Sequence, residues 1–232
     1  MGPQPMNHSE SRNELVRLAR SLHQRGLTRG TSGNLSARVE GGILVTPTNA
    51  SLGELRTDDL ALVSDAGEHL SGARPSKEAF LHLAMYRVRP QDHAAVHLHS
   101  TYATALSCLD GLDDDDVLPP LTAYFVMSVG RLVRLPYFAP GDQGLAGAAQ
   151  EAAASSRALL LANHGPIVSA PTLAQAVNAV EEVEETARLF FLLNGHATRP
   201  PSARPGGRPL CHSLLAAETI VPSTPKAQLF YC

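Results

Sequence analysis

Residues 158–195 read ALLLANHGPIVSAPTLAQAVNAVEEVEETARLFFLLNG, and this stretch decides the fold. It begins with an apolar run, 158–162, that has the length of a buried strand. A tight turn at 163–165 leads into a second short strand. Thr172 and Gln175 then form the capping box of a long helix, whose apolar residues recur every three or four positions until Gly195. The pattern is that of two strands followed by an amphipathic helix.

The rest of the chain continues this alternation of strands and helices. Helical patterns occupy 11–25, 75–89, 102–109 and 142–155, and strand-like runs occupy 43–47, 60–64 and 94–99. Strand-like runs are also mixed into 117–137. We expect Ser11 and Glu14 to form the capping box of the first helix. The alternation predicts a layered α/β domain.

Composition and charge exclude several classes of protein. The chain has 232 residues, and its 19 Lys and Arg against 22 Asp and Glu give a net charge of −3, so no basic field favours nucleic acid or anionic membranes. No apolar run approaches the roughly 18 residues of a membrane-spanning helix, and the polar N-terminus does not resemble a secretory signal. Three widely spaced cysteines, Cys108, Cys211 and Cys232, do not form a disulfide framework. We therefore expect a soluble cytoplasmic protein.

Histidine is the conspicuous residue type, with ten copies in the chain. His97 and His99 flank Leu98 in a strand pattern, so their side chains lie on one face, about 6–7 Å apart along the strand. That spacing suits a cation bound between the two rings. Two core histidines that each hydrogen-bond to a separate partner remain the alternative.

Two further side chains strengthen the metal interpretation. Glu78 lies in the first turn of a predicted helix, and His164 lies in the tight turn after a buried strand. Taken alone, Glu78 is a carboxylate at a helix start and His164 a turn residue. Together with His97 and His99 they supply three imidazoles and one carboxylate, a set that suits Zn²⁺ with a position left open for substrate. His82, one helical turn after Glu78, is assigned to the helix surface or to a supporting contact behind the site.

Polar turns predict an anion site. The turn at 30–36 supplies the Thr31 hydroxyl, the flexible Gly33 and the Asn34 amide, and such turns form concavities that bind anions, although a plain loop is the alternative. Thr48 follows a strand in a second polar turn. Ser76 and Lys77 stand at a helix start, where N–H groups and the helix dipole attract phosphate. The sequence has no Walker A motif, so nucleoside triphosphates are not expected ligands.

The ordered set of these motifs resembles the class II aldolase/adducin family. The resemblance extends over residues 15–194, and its motifs are GTSGNLS (30–36), TPT (46–48), PSKE (75–78), VHLHS (96–100) and NHG (163–165). It implies a three-layer α/β fold with a central β-sheet flanked by helices on both faces. It also implies a homotetramer with active sites at subunit interfaces.

The resemblance assigns roles to particular residues. It implies that Glu78, His97, His99 and His164 hold one Zn²⁺ per chain and that Glu78 also acts as acid and base. The implied phosphate site consists of Thr31, Gly33, Asn34, Thr48, Ser76 and Lys77. Tyr124 is a candidate acid from a neighbouring subunit, with a packed aromatic as the alternative.

Two stretches resemble one branch of that family. LPPLTAYFVMSVG (118–130) and PYFAPGD (136–142) are similar to the 3-oxo-tetronate 4-phosphate decarboxylases. The resemblance implies a zinc-dependent lyase that converts such a substrate to dihydroxyacetone phosphate and CO₂ through an enediolate. One alternative is a class II aldolase that cleaves a ketose 1-phosphate such as L-fuculose 1-phosphate. Another is a non-catalytic, adducin-like interaction module.

Two departures from the family pattern mark where the resemblance ends. Asn49 stands where many aldolases have glycine. From about residue 196 the chain becomes rich in Pro and Gly, which is typical of a loose tail. We therefore expect a catalytic domain at 1–195 and a C-terminal tail at 196–232.

Overall fold

One mixed β-sheet organises the computed structural model, which describes residues 8–139, 142, 144–194 and 196–201. The strands are β1 (Asn34–Val39), β2 (Gly42–Val45), β3 (Ala61–Val63), β4 (His69–Ser71), β5 (Ala94–His97), β6 (Leu132–Leu135), β7 (Ala158–Leu161) and β8 (Gly165–Ala170). The helices are α1 (Ser9–Gln24), α2 (Ala79–Val88), α3 (Thr101–Ser107), α4 (Ala123–Ser128), α5 (Gly144–Ala153) and α6 (Leu173–Leu192), with a short 3₁₀ helix at Thr57–Asp59. The greater part of the predicted tail, residues 202–232, lies outside the described residues.

The strands lie in the order β4-β3-β2-β1-β5-β8-β7-β6. Every neighbouring pair is antiparallel except β6 and β7, which are parallel. The short turn between β7 and β8 requires an antiparallel pair, because a parallel connection needs a dozen or more residues. At the centre of the sheet, β5 pairs with β1 on one side and with β8 on the other. The end of β5 therefore lies beside the start of β1 and the β7–β8 turn.

Helices cover both faces of the sheet. Alternate strand residues such as Val96 and Val168 face a core formed with α1, α3, α4 and α6. Their sequence neighbours Ala95 and Ile167 face the opposite side, which is covered by α2 and α5. The predicted α/β fold with helices on both faces is confirmed.

The long helix α6 follows its sequence pattern closely. The Thr172 hydroxyl accepts a hydrogen bond from the Gln175 N–H, as the capping box predicts. Its predicted apolar face is buried from Leu173 to Ala187. Full burial of a Leu or Val side chain contributes about 1.5–3 kcal/mol, so this face fixes α6 against the sheet. No helix in the described part of the chain is both long and apolar enough to cross a membrane.

Three local predictions are wrong. The first helix begins at Ser9, not at Ser11, because the Arg12 N–H bonds to the His8 carbonyl in the helical pattern and carries the helix past Ser11. Within the region expected to mix strand-like runs, the Thr122 hydroxyl caps a helix, α4, by accepting from the Phe125 N–H at 3.0 Å. The edge strand β4 was not predicted, because all three of its residues are exposed and show no alternation.

A candidate metal centre

Four side chains from separate parts of the chain meet at one end of the central strands. They are Glu78, His97, His99 and His164, and the ligand atoms they offer all lie within 4.8 Å of one another. Glu78 immediately precedes α2, and His97 is the last residue of β5. His99 lies between β5 and α3, and His164 lies in the β7–β8 turn. The structure thus brings together the four residues that the sequence predicts as metal ligands.

The turn that carries His164 depends on its two neighbours. Asn163 has a φ of 56°, a left-handed conformation that asparagine tolerates better than most residues. Gly165 packs against the segment that carries His99, where a Cβ atom would lie 2.2 Å from the Leu98 carbonyl oxygen. Only glycine permits this close approach, which places His164 beside His99.

His97 and His99 are not arranged as the strand pattern predicts. The strand β5 ends at His97, so His99 lies beyond it rather than two positions along the same strand. The Leu98 N–H still donates to the Pro166 carbonyl at 3.1 Å, and the chain then turns towards α3. The two Nε2 atoms consequently lie 3.0 Å apart, about half the separation expected along a strand.

The distances between the donor atoms fit a central cation. The Nε2 atoms of His99 and His164 are 2.9 Å apart, and those of His97 and His164 are 3.4 Å apart. Glu78 places Oε1 3.2 Å from His164 Nε2 and Oε2 3.5 Å from His97 Nε2. Four ligands at about 2.0–2.1 Å from a tetrahedral metal lie about 3.3–3.4 Å from one another, so the observed edges are close to a tetrahedral site.

The protonation of the rings also suits metal binding. His97 Nδ1 lies 2.8 Å from the Pro166 carbonyl oxygen and must donate to it, which leaves Nε2 as a bare lone pair facing the other rings. Burial lowers the pKa of His97 to about 3 and also lowers the pKa of His99, so both imidazoles are neutral at pH 7. Burial raises the pKa of Glu78, but the His97 ring and hydrogen bonds from His164 and Asn34 outweigh burial and bring that pKa below its usual range. Neutral imidazoles and an ionised carboxylate could together hold a divalent metal.

The predicted phosphate residues lie on segments next to this cluster. The Ser76 N–H donates to the Thr46 carbonyl at 3.1 Å, and the Thr48 N–H donates to the Arg74 carbonyl at 3.0 Å, which joins the two polar loops side by side. Gly33 has a φ of 80°, and a Cβ atom there would lie 3.0 Å from the His97 carbonyl oxygen. The turn at 30–33 and the joined loops thus border the four-residue cluster.

Three predicted residues have exposures that bear on their assigned roles. Thr31 and Lys77 are exposed, so both are free to meet a ligand from solvent. Tyr124 is 70% exposed on α4, and no hydrogen bond within the described ranges joins it to the cluster. Packing within a single chain, the alternative considered for Tyr124, is therefore not what the structure shows.

Asn34 makes a different contact from the one predicted. Its Nδ2 donates to Glu78 Oε2 at 2.6 Å, and its Oδ1 lies 2.5 Å from His82 Nε2. His82 is fully buried, and burial lowers its pKa to about 4. The amide therefore contacts the glutamate of the cluster instead of standing free in the turn. His82 supports the site from behind and is not a helix-surface residue.

Asn49 is explained by its backbone conformation. Its φ of 57° lies in the left-handed region, which favours glycine and admits asparagine more readily than most other residues. The departure from the glycine of many aldolases therefore preserves the turn.

Comparisons with known proteins agree with this geometry. The family model described as "Class II Aldolase and Adducin N-terminal domain" matches residues 13–191. A 3-oxo-tetronate 4-phosphate decarboxylase from Escherichia coli O6:H1 is 49% identical over 189 residues, which is 81% of this chain and 89% of the relative. A 5-deoxy-D-ribulose 1-phosphate aldolase from Bacillus thuringiensis serovar kurstaki is 35% identical over 186 residues, or 78% of this chain and 84% of the relative. The crystal structure of YgbL from Klebsiella pneumoniae superimposes with a TM-score of 0.82 at 46% identity, covering 86% of this chain and 97% of that one.

Proposed function

This chain belongs to the class II aldolase and adducin N-terminal family, and we propose that it is a lyase that decarboxylates a 3-oxo-tetronate 4-phosphate to dihydroxyacetone phosphate and CO₂. The observation that carries this proposal is the 49% identity to a decarboxylase of that name over most of both chains. Identity to the aldolase relative is lower, at 35%.

The metal is Zn²⁺, one per chain, held by Glu78, His97, His99 and His164. The support is the chemistry of the donor set, because three neutral nitrogens and one carboxylate at near-tetrahedral separations are typical of a catalytic zinc site. Bound there, the metal supplies Lewis acidity to the ketone oxygen of the substrate and so stabilises the negative charge that develops.

Glu78 is the proton carrier of the reaction. In the substrate the carboxylate is β to the C3 ketone, so cleavage of the C1–C2 bond releases CO₂ and leaves the electron pair as a C2–C3 enediolate. One proton must then reach C2 to give dihydroxyacetone phosphate. Glu78 can carry that proton from water, since its carboxylate is a quarter exposed while Asn34 holds it from the protein side.

The substrate phosphate binds at the polar segments beside the cluster. Thr31, Gly33, Thr48 and Ser76 supply hydroxyl and backbone groups, and Asn34 contributes through its place in the same turn. Lys77 adds a positive charge between Ser76 and Glu78, where it is exposed to solvent. The substrate has both a phosphate and a carboxylate, so a lysine at this position favours it over a ketose phosphate with a neutral tail.

The enzyme works as a homotetramer in the cytoplasm. Tyr124 and Met127 lie one helical turn apart on α4 and are 70% and 76% exposed, which supports a subunit contact at this face. Across such a contact Tyr124 would act as an acid in a neighbouring site. A phosphorylated and carboxylated substrate does not cross membranes unaided, which supports a cytoplasmic location.

Aldol cleavage of a ketose 1-phosphate is the second candidate activity. The relative with 35% identity is an aldolase of this kind, and both reactions need a stabilised enediolate beside a phosphorylated carbon. The non-catalytic module is disfavoured, because an interaction surface has no need of four converging metal ligands.

The test measures metal content and product together. The wild-type protein should hold about one zinc per chain and release CO₂ and dihydroxyacetone phosphate in equal amounts from 3-oxo-tetronate 4-phosphate. A His97→Ala, His99→Ala double variant should lose most metal and activity, whereas His93→Ala, an exposed histidine just before β5, should retain both. Full zinc occupancy in the double variant would refute the ligand assignment.

A further inference from the structure

A row of buried polar side chains runs away from Glu78 into the protein. Asn34 Nδ2 meets Glu78 Oε2 at 2.6 Å, and Asn34 Oδ1 meets His82 Nε2 at 2.5 Å. His82 Nδ1 lies 2.7 Å from Ser36 Oγ, which lies 2.7 Å from the Tyr86 hydroxyl. His82 and Ser36 are fully buried, and Asn34 and Tyr86 are at most 4% exposed. Groups buried to this extent carry a penalty unless each is hydrogen-bonded, so the row is a complete and ordered network.

The sequence periods of two elements create this row. Asn34 and Ser36 are two residues apart on β1, which places both side chains on one face of the sheet. Glu78, His82 and Tyr86 are four residues apart on and just before α2, which places them along one face of that helix. The two faces are packed together, so each strand side chain lies between two helix side chains.

Donor and acceptor chemistry fixes the direction of the bonds near the site. An ionised Glu78 carboxylate can only accept, so the Asn34 atom beside it must be the donating Nδ2. Asn34 Oδ1 therefore faces His82 and can only accept, which requires a proton on His82 Nε2. A neutral imidazole then has a bare Nδ1, which accepts from the Ser36 hydroxyl. The protonation of His82 thus determines which way the Asn34 amide faces.

We propose that His82 is a positioning residue for Glu78: its Nε2–H locks the Asn34 amide so that Nδ2 holds Glu78 Oε2 at the edge of the metal cluster. This inference rests on the proposed function in giving Glu78 the role of proton carrier. His82 touches neither Glu78 nor the other three cluster residues and acts through Asn34. If the lock is lost, the amide can rotate, and the carboxylate loses its only hydrogen bond from a strand side chain among the described residues.

The consequence is a defined split in the kinetic constants. Loss of a hydrogen bond that orients a metal ligand typically reduces metal affinity or activity by about tenfold to a hundredfold. The phosphate segments are not part of the row, so kcat should fall while KM changes little.

The experiment compares His82→Leu, which removes the donor, with His82→Gln, whose side-chain amide can replace Nε2–H. Zinc affinity is measured by competition with a chromophoric chelator, and kcat and KM are measured with 3-oxo-tetronate 4-phosphate. We expect His82→Leu to lose about tenfold to a hundredfold in zinc affinity and in kcat, and His82→Gln to recover most of both. Equal losses in the two variants, or no loss in His82→Leu, would overturn the proposal.

A matched control separates positioning from general destabilisation. Ser169→Ala also removes one fully buried hydrogen bond, from the Ser169 hydroxyl to Asp92 at 2.7 Å, but it lies elsewhere in the sheet. It should lower the melting temperature and leave zinc affinity and kcat unchanged. A Ser169→Ala loss as large as that of His82→Leu would assign the effect to stability alone.

A spectroscopic measurement does not depend on activity or on a folded variant. In protein labelled with ¹⁵N-histidine, the ring nitrogen shifts of His82 should show a protonated Nε2 and a bare Nδ1 at neutral pH. The opposite tautomer, or a doubly protonated ring, would overturn the proposal even if the enzyme decarboxylates its substrate. If no CO₂ is formed but the tautomer and the zinc affinities are as expected, the proposed function fails and the positioning role stands.

Discussion

Replacing Gly165 by alanine should disrupt the metal centre without touching any ligand. A Cβ atom at this position would lie 2.2 Å from the Leu98 carbonyl oxygen, whereas real Cβ contacts essentially never fall below 3.0 Å. The backbone must therefore move by about 1 Å, since rotation of a side chain cannot relieve a clash with a carbonyl group. Leu98 is fully buried, and its N–H is bonded to the Pro166 carbonyl, so the movement must separate the His99 segment from the β7–β8 turn.

The expected magnitude follows from this geometry. Overpacking of a tight interior costs about 1–3 kcal/mol, and each kcal/mol lowers the melting temperature of a chain of this size by about 2–4 °C. A metal site tolerates shifts of only about 0.2 Å in its ligand distances, so zinc affinity should fall by at least about tenfold. Chelator competition and thermal melting measure the two effects.

Gly147→Ala is the matched control for Gly165→Ala. Gly147 lies inside α5, and a Cβ atom there would have no neighbour within 4 Å. Alanine should stabilise that helix by about 0.5–1 kcal/mol and leave zinc binding unchanged. Wild-type zinc affinity and an unchanged melting temperature in Gly165→Ala would refute the claim that this close approach sets the site.

The remaining predictions concern substrate charge, helix capping and pH. Lys77→Met should lower kcat/KM for 3-oxo-tetronate 4-phosphate by about tenfold to a hundredfold through loss of a charge-assisted contact, and an unchanged value would remove Lys77 from the site. Glu184→Gln should destabilise the fold by about 1–2 kcal/mol in urea unfolding, because the two carboxylate oxygens accept the N–H groups of Tyr102 and Ala103 at 2.9 and 2.8 Å; the exposed Glu185→Gln should change stability by less than about 0.5 kcal/mol. Burial lowers the pKa of His82 from 6.5 to about 4, so protons favour the unfolded state as pH falls; between pH 7 and pH 5 the metal-free protein should lose about 2 kcal/mol of stability that His82→Gln does not lose, and parallel pH profiles for the two proteins would exclude this role.

Periodicity and capping residues explain which parts of the fold could be predicted. The apolar run at 158–162 became the buried strand β7, and the Thr172 capping box marks the start of α6, because both patterns act locally. Sheet order depends on contacts between distant segments, so the sequence could not show that β5 pairs with both β1 and β8. The exposed edge strand β4 carries no pattern that distinguishes it from a loop.

The metal cluster could be predicted because ligand chemistry restricts residue types. Glu78 and the three histidines were identified by type and by their places next to strands and a helix start. Their geometry was less predictable, since β5 ends at His97 and the chain turns before His99. The contact between Asn34 and Glu78 was also missed, because it requires knowing that β1 packs against α2. The spacing of four residues between Glu78 and His82 was the only sequence signal that His82 faces the site.

The most direct test of the account is a comparison of products from two substrates. The zinc-loaded wild-type protein is incubated separately with 3-oxo-tetronate 4-phosphate and with L-fuculose 1-phosphate, and CO₂, dihydroxyacetone phosphate and aldehyde are measured in each reaction. The account predicts equal amounts of CO₂ and dihydroxyacetone phosphate from the first substrate and little or no cleavage of the second. Rapid aldehyde formation from L-fuculose 1-phosphate without CO₂ release from the acid would contradict it and identify the protein as an aldolase.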